Sequence, residues 1–147
     1  MADPKPQYLR LNFSGGAYLL PSTAGYTIEQ RDSLLLNDNT SSRVSAWRTV
    51  RASRWPAYAL DGDFRPIRRN DWQRAVFVEA LPYAIGVVVD DVHLLPRAQA
   101  QVTPYTPLGQ KPTRAGHLFT GAWVTERELM LVLDPQALIV YLQSLGE

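Results

Sequence analysis

The 147-residue sequence contains no cysteine. That excludes a disulfide framework, thiolate metal sites and thiol catalysis. Histidine is almost as scarce, with only His93 and His117. Neither has a nearby carboxylate or second histidine at metal-ligand spacing. No Gly-x-Ser-x-Gly, phosphate-cradling glycine loop or His-Glu-x-x-His is present. No apolar run approaches the roughly 18 residues of a membrane span. Met1–Pro6 (MADPKP) lacks the apolar stretch of a signal peptide. A cytoplasmic location is therefore expected, with disorder over residues 1–6 and one folded domain over 7–147.

Lysine is also rare: thirteen of the fifteen basic residues are arginine. Net charge is only +1, yet eight arginines fall between Arg43 and Arg74, opposed by Asp61, Asp63 and Asp71. A solvated surface explains such a run, and so does a basic face for nucleic acid or an acidic partner. Trp47, Trp55 and Trp72 lie in the same stretch but do not alternate with arginine on one strand face, so stacking on a nucleic-acid strand is weakly signalled. Hydrophobic residues make up 46% of the chain and charged ones 20%, which is enough to form a core.

The patterning is mostly that of strands. Gln7–Phe13 alternates with period two, Ser14-Gly15-Gly16 reads as a tight hairpin turn, and Ala17–Leu20 returns. Tyr26–Gln30 is a third strand. Leu34-Leu35-Leu36 fits either a strand or a buried helical turn. Trp55–Leu60 has strand character, with Pro56 suited to an edge or a strand start. Asp61-Gly62-Asp63 marks a turn. Arg74–Leu81 and Ala84–Leu95 form a hairpin across Pro82-Tyr83. Pro96–Gly116 reads as a long irregular connection. His117–Val124 and Glu128–Leu133 form the last hairpin. One helix follows, capped by Asp134, opened by Pro135, apolar at Leu138, Leu142 and Leu145, and closed by Gly146. Asp90-Asp91 would point to opposite faces of a strand, a poor geometry for paired-carboxylate chemistry. No residue is assigned to catalysis, a cofactor or a metal.

Gly86-Val87-Val88-Val89-Asp90-Asp91-Val92 resembles the G-[IV]-[VL]-V-D-x-V strand of the CheW-like domain family. Leu9–Glu29 is similar to that family's first hairpin and third strand. Phe119–Ala122 with Leu129–Pro135 and Leu138 is similar to its last hairpin and terminal helix. The middle departs from the family's N-L-R-G-x-x-x-P-[IV]-x-D-L stretch. In Thr49–Leu60 the arginine, proline and last leucine survive as Arg51, Pro56 and Leu60, while Ala52 and Ala59 replace the glycine and the aspartate.

The resemblance implies a mainly β fold: two small five-stranded β-barrel subdomains, a groove between them and a C-terminal α-helix. It implies no cofactor and no small-molecule substrate. The implied role is that of a non-catalytic adaptor coupling the cytoplasmic tip of a chemoreceptor to the regulatory domain of a CheA-type histidine kinase. Chemotaxis and type IV pilus motility both use such adaptors, which meet the membrane only through the receptor. Arginine and large aromatics dominate interface energetics. Arg51, Trp55, Pro56 and Tyr58 are therefore the expected partner contacts, joined by Val87 and Val89 on one face of their strand. The alternative is a small β-barrel that binds nucleic acid through the Arg43–Arg74 segment.

Overall fold

The computed structural model describes residues 6–80, 82–104 and 116–147. The expectation of disorder over 1–5, and that of an irregular path over 105–115, lie outside the described residues. Thirteen strands and one α-helix are present among the described residues. In chain order they are β1 (Tyr8–Phe13), β2 (Gly16–Pro21), β3 (Tyr26–Gln30), β4 (Leu35–Leu36), β5 (Ala46–Val50), β6 (Ser53–Leu60), β7 (Pro66–Ile67), β8 (Arg74–Ala80), β9 (Tyr83–Val89), β10 (Asp91–Leu94), β11 (Thr103–Pro104), β12 (Phe119–Val124), β13 (Leu129–Leu133) and α1 (Pro135–Leu145). No helix is long and apolar enough to cross a membrane, among the described residues.

The strands form two sheets, ordered β10-β1-β2-β13-β12-β11 and β3-β8-β9-β6-β5-β4, with β7 on the side of β6. β4, β7 and β11 have only two residues each, which leaves five longer strands per sheet, as expected. Both sheets share one plan, in which two hairpins meet at a central parallel pair. That pair is β2 with β13 in the first sheet and β9 with β6 in the second. In the second sheet Glu29 on β3 reaches Arg48 on β5 at 3.2 Å, so strands first and fifth in the order approach each other as in a barrel.

The first turn is made as the sequence suggests. Phe13 pairs with Gly16, and both Ser14 (φ +50°) and Gly15 (φ +78°) are left-handed, the pattern of a type I′ hairpin. Leu35–Leu36 resolves as a short strand after a 3-10 turn at Arg31–Ser33. Two expectations need correction. Ala84–Leu95 is not one strand. It breaks at Asp90, with β9 in the second sheet and β10 in the first. The Asp90 amide donates to the Asn12 carbonyl (2.7 Å) and its carboxylate meets Arg69 (2.6 Å), so the crossing point is held from both sides. Nor is β6 an edge: β5 and β9 flank it. Pro56 is tolerated because pairing with β9 begins at Ala57, past the missing N–H.

One large core joins the halves. Leu9, Leu11 and Phe13 of β1 meet Tyr58 and Leu60 of β6, Val87 of β9, and Leu138 and Leu142 of α1. Smaller clusters line the far faces: Ala57, Ala75, Phe77 and Val88 in the second sheet, and Leu19, Met130 and Val132 in the first. The helix begins as predicted, with the Asp134 carboxylate accepting from the Gln136 amide at 3.1 Å and Gly146 closing it at φ +66°. It packs on β8 and β9.

Candidate docking surface

Four of the six residues expected to meet a partner lie on one hairpin. β5 and β6 are joined by Arg51-Ala52, since Val50 pairs with Ser53. Arg51 has φ +56° and Ala52 has no positive φ, the signature of a type II′ turn, which favours glycine at its first position. The left-handed position is thus Arg51, one residue before the alanine that replaces the family's glycine. The Arg51 side chain is exposed and makes no hydrogen bond or ion pair among the described residues. Trp55 and Pro56 are half-buried, and Tyr58 is buried.

Trp55, Pro56 and Tyr58 line an open cleft of about 230 Å³, bounded also by Arg54, Tyr83–Ile85, Ile139 and Gln143. The start of β6, the start of β9 and one face of α1 therefore build it. Tyr83 is 58% exposed at its mouth. Cross-strand stacking fixes two cations at the hairpin. Arg48, opposite Trp55, lies over its ring at 5.4 Å, and Arg54 lies over Trp47 at 4.2 Å. Arg54 also approaches Glu147 at 3.8 Å.

Val87 and Val89 are corrected to core positions, 2% and 0% exposed. Both faces of β9 are covered, because Val88 and Ala84 belong to the second sheet's own cluster. A continuous apolar run rather than an alternating one is the mark of a strand buried on both sides. That mark was present in Ala84–Val89. Arg54, Tyr83 and Ile139 carried no such signal, since only the fold brings them together.

The basic segment does not form a free cationic face. Arg43 donates to the Leu145 carbonyl (3.0 Å). Arg68 donates to the carbonyls of Asn37, Asn39 and Ser42. Arg48 pairs with Glu29, Arg69 with Asp90, and Arg74 approaches Asp91 at 4.0 Å. Asp61 is a turn residue, its carboxylate accepting from the amides of Asp63 and Arg65. No three potential metal ligands cluster among the described residues.

Compared with solved structures, the chain is similar to the scaffolding protein TtCheW from Thermoanaerobacter tengcongensis. The TM-score is 0.62 over 90% of each chain, at 20% sequence identity. The fold is CheW-like. No family model matches the chain, and no curated protein matches it in sequence. At this identity the likeness shows the fold alone.

The Tyr58 hydroxyl lies behind the cleft and donates to the Gly146 carbonyl at 2.9 Å. Burial pushes its pKa up, Glu147 adds to this, and Arg43 opposes it. Tyr18 is raised by burial, and Tyr141 by burial and then by Asp61. An acid with a raised pKa in the fold favours its neutral form there, so its contribution is complete below the ordinary tyrosine value and is lost above it. Stability should therefore fall as pH climbs past about 10, where unfolded tyrosines ionise first. Urea denaturation from about pH 9 to about pH 12 should show that fall, and Tyr58→Phe should make it shallower. An unchanged slope in that variant would remove Tyr58 from the account.

Proposed function

We propose that this chain is a non-catalytic signalling adaptor of the CheW kind. It couples the cytoplasmic tip of a chemoreceptor to the regulatory domain of a CheA-type histidine kinase, in chemotaxis or type IV pilus motility signalling. The observation that carries this reading is the CheW-like fold over 90% of the chain. The surface chemistry supports it: an aromatic-lined cleft near the exposed Arg51 suits a protein interface, where aromatics and arginine are enriched. In this reading the protein works in the cytoplasm and reaches the membrane only through the receptor. Nothing observed favours the nucleic-acid reading, because most of the arginines that prompted it are held by acceptors within the chain.

Arg51 separates docking from folding. Replacing it with glycine removes a strained φ and should stabilise the protein by about 0.5–1 kcal/mol, after the entropic cost of glycine is subtracted. The same change, like Arg51→Glu, should weaken binding of one of the two partners by about tenfold, the equivalent of ~1.4 kcal/mol. Chemical denaturation measures the first effect and isothermal titration calorimetry the second. A glycine variant that is more stable and binds both partners as before would take Arg51 out of the interface.

A further inference from the structure

The cleft between β6, β9 and α1 has one cationic residue, Arg54, in its lining. Trp55, Pro56, Tyr83 and Ile139 line it together with the polar Arg54 and Gln143. Among the described residues no carboxylate lines it. At about 230 Å³ it is smaller than the roughly 300–1,000 Å³ of small-molecule sites, so it suits one large apolar side chain better than a cofactor. The Arg54 guanidinium stacks over Trp47 at 4.2 Å, so little ordering is needed when it pairs. Its present acid is a loose one. The Arg54–Glu147 contact is a single approach at 3.8 Å between side chains 56% and 68% exposed. Exposed pairs of that kind are weak and easily exchanged. The segment that carries Glu147 is itself fastened by the cleft, through Tyr58 to the Gly146 carbonyl, and by Arg43 to the Leu145 carbonyl.

We propose that this cleft receives an apolar side chain of a partner protein segment bearing an adjacent carboxylate, and that Glu147 competes with that carboxylate for Arg54. Charge complementarity selects the acid: Arg54 lines a recess that has no carboxylate among its described lining residues, which favours an anionic group beside the anchor. Glu147 then acts as a built-in competitor that keeps weak acidic peptides out. The inference rests on the adaptor reading only in taking the occupant to be a protein segment.

A phage-displayed random peptide library panned on the folded chain, with the Arg54→Gln variant as counter-selection, tests this without any assumed partner. Selected peptides should share a large apolar residue next to Asp or Glu. In calorimetry with the synthetic peptides, Arg54→Gln should weaken binding about tenfold, and Glu147→Gln should tighten it about threefold, with circular dichroism unchanged. Should Arg54→Gln fail to fold, Glu147→Gln and the salt dependence of wild-type binding decide, since an exposed charge pair weakens with salt. Peptides without a carboxylate, or Glu147→Gln binding no tighter than wild type, would overturn the proposal. Titration of the same variants with a CheA-type regulatory domain and a receptor tip separates the two ideas. Binding there that ignores both variants overturns the cleft assignment and leaves the adaptor reading standing. Peptide selection as expected, with no binding to either domain, leaves the cleft and removes the adaptor reading.

Discussion

Phe64→Ala should destabilise the protein by about 3–5 kcal/mol, the cost of removing a buried phenylalanine. Phe64 is 2% exposed and sits just past β6, in the second sheet's half of the chain. Its ring meets Phe13, Tyr18 and Phe119, all from the first sheet, edge-on at 5.2–5.6 Å. Edge-to-face pairs add about 0.5–1.5 kcal/mol beyond burial. Its carbonyl also accepts the Tyr141 hydroxyl, so one residue ties β6 to the first sheet and to the helix. Against a typical stability of about 5–15 kcal/mol, the loss is large. The backbone gives a sharper test. Phe64 has φ +64°, where any Cβ is strained by about 1–2 kcal/mol. Phe64→Gly should therefore be less damaging than Phe64→Ala by up to about 1 kcal/mol, whereas glycine ordinarily costs ~0.5–1 kcal/mol more than alanine. Urea denaturation of both variants decides, and a glycine variant less stable than the alanine one would contradict the strained geometry.

The second large effect is expected at Gly86. A Cβ added there would meet Phe77 Cε1 at 2.9 Å and the Ala57 Cβ at 3.0 Å. Both neighbours are fully buried inside the second sheet's cluster, so neither can turn aside into solvent. Gly86→Ala should cost about 1–3 kcal/mol through overpacking, and Gly86→Val more. The strain has one main source, so Phe77→Leu should partly rescue Gly86→Ala. A double-mutant cycle should give a favourable coupling of about 0.5–3 kcal/mol. Strictly additive losses would mean that the Phe77 ring is not the obstacle.

Gly86 shows how far the sequence could be read. It stands out in Gly86-Val87-Val88-Val89-Asp90, yet its backbone needs no left-handed φ. Its reason is the closeness of Phe77 and Ala57, and those come from two other strands. The local signals were legible: the Ser14-Gly15 turn, the Asp134 cap with Pro135, and the Asp61 turn all depend on neighbours in the chain. The break at Asp90 was not, because the apolar pattern runs on through a crossing whose fixing groups, Asn12 and Arg69, are far away in sequence. The shared plan of the two sheets was equally hidden, since the second sheet's hairpins occur in the opposite chain order and no residues repeat. At the candidate site the hairpin Thr49–Leu60 leaves Arg51 exposed and Trp55 and Pro56 half-buried. Tyr58, Val87 and Val89 went to the core because β6 and β9 pair as neighbours, Tyr58 beside Val87. The arginine run misled for the same reason: its acceptors are carbonyls and carboxylates that only folding brings near.

The adaptor account stands or falls on simultaneous docking. Sedimentation velocity of the chain mixed with a CheA-type regulatory domain and a receptor-tip fragment measures this directly. The account predicts one sedimenting species containing all three, with each binary pair also forming. A folded chain that binds neither protein, or two proteins that exclude each other from it, would contradict it.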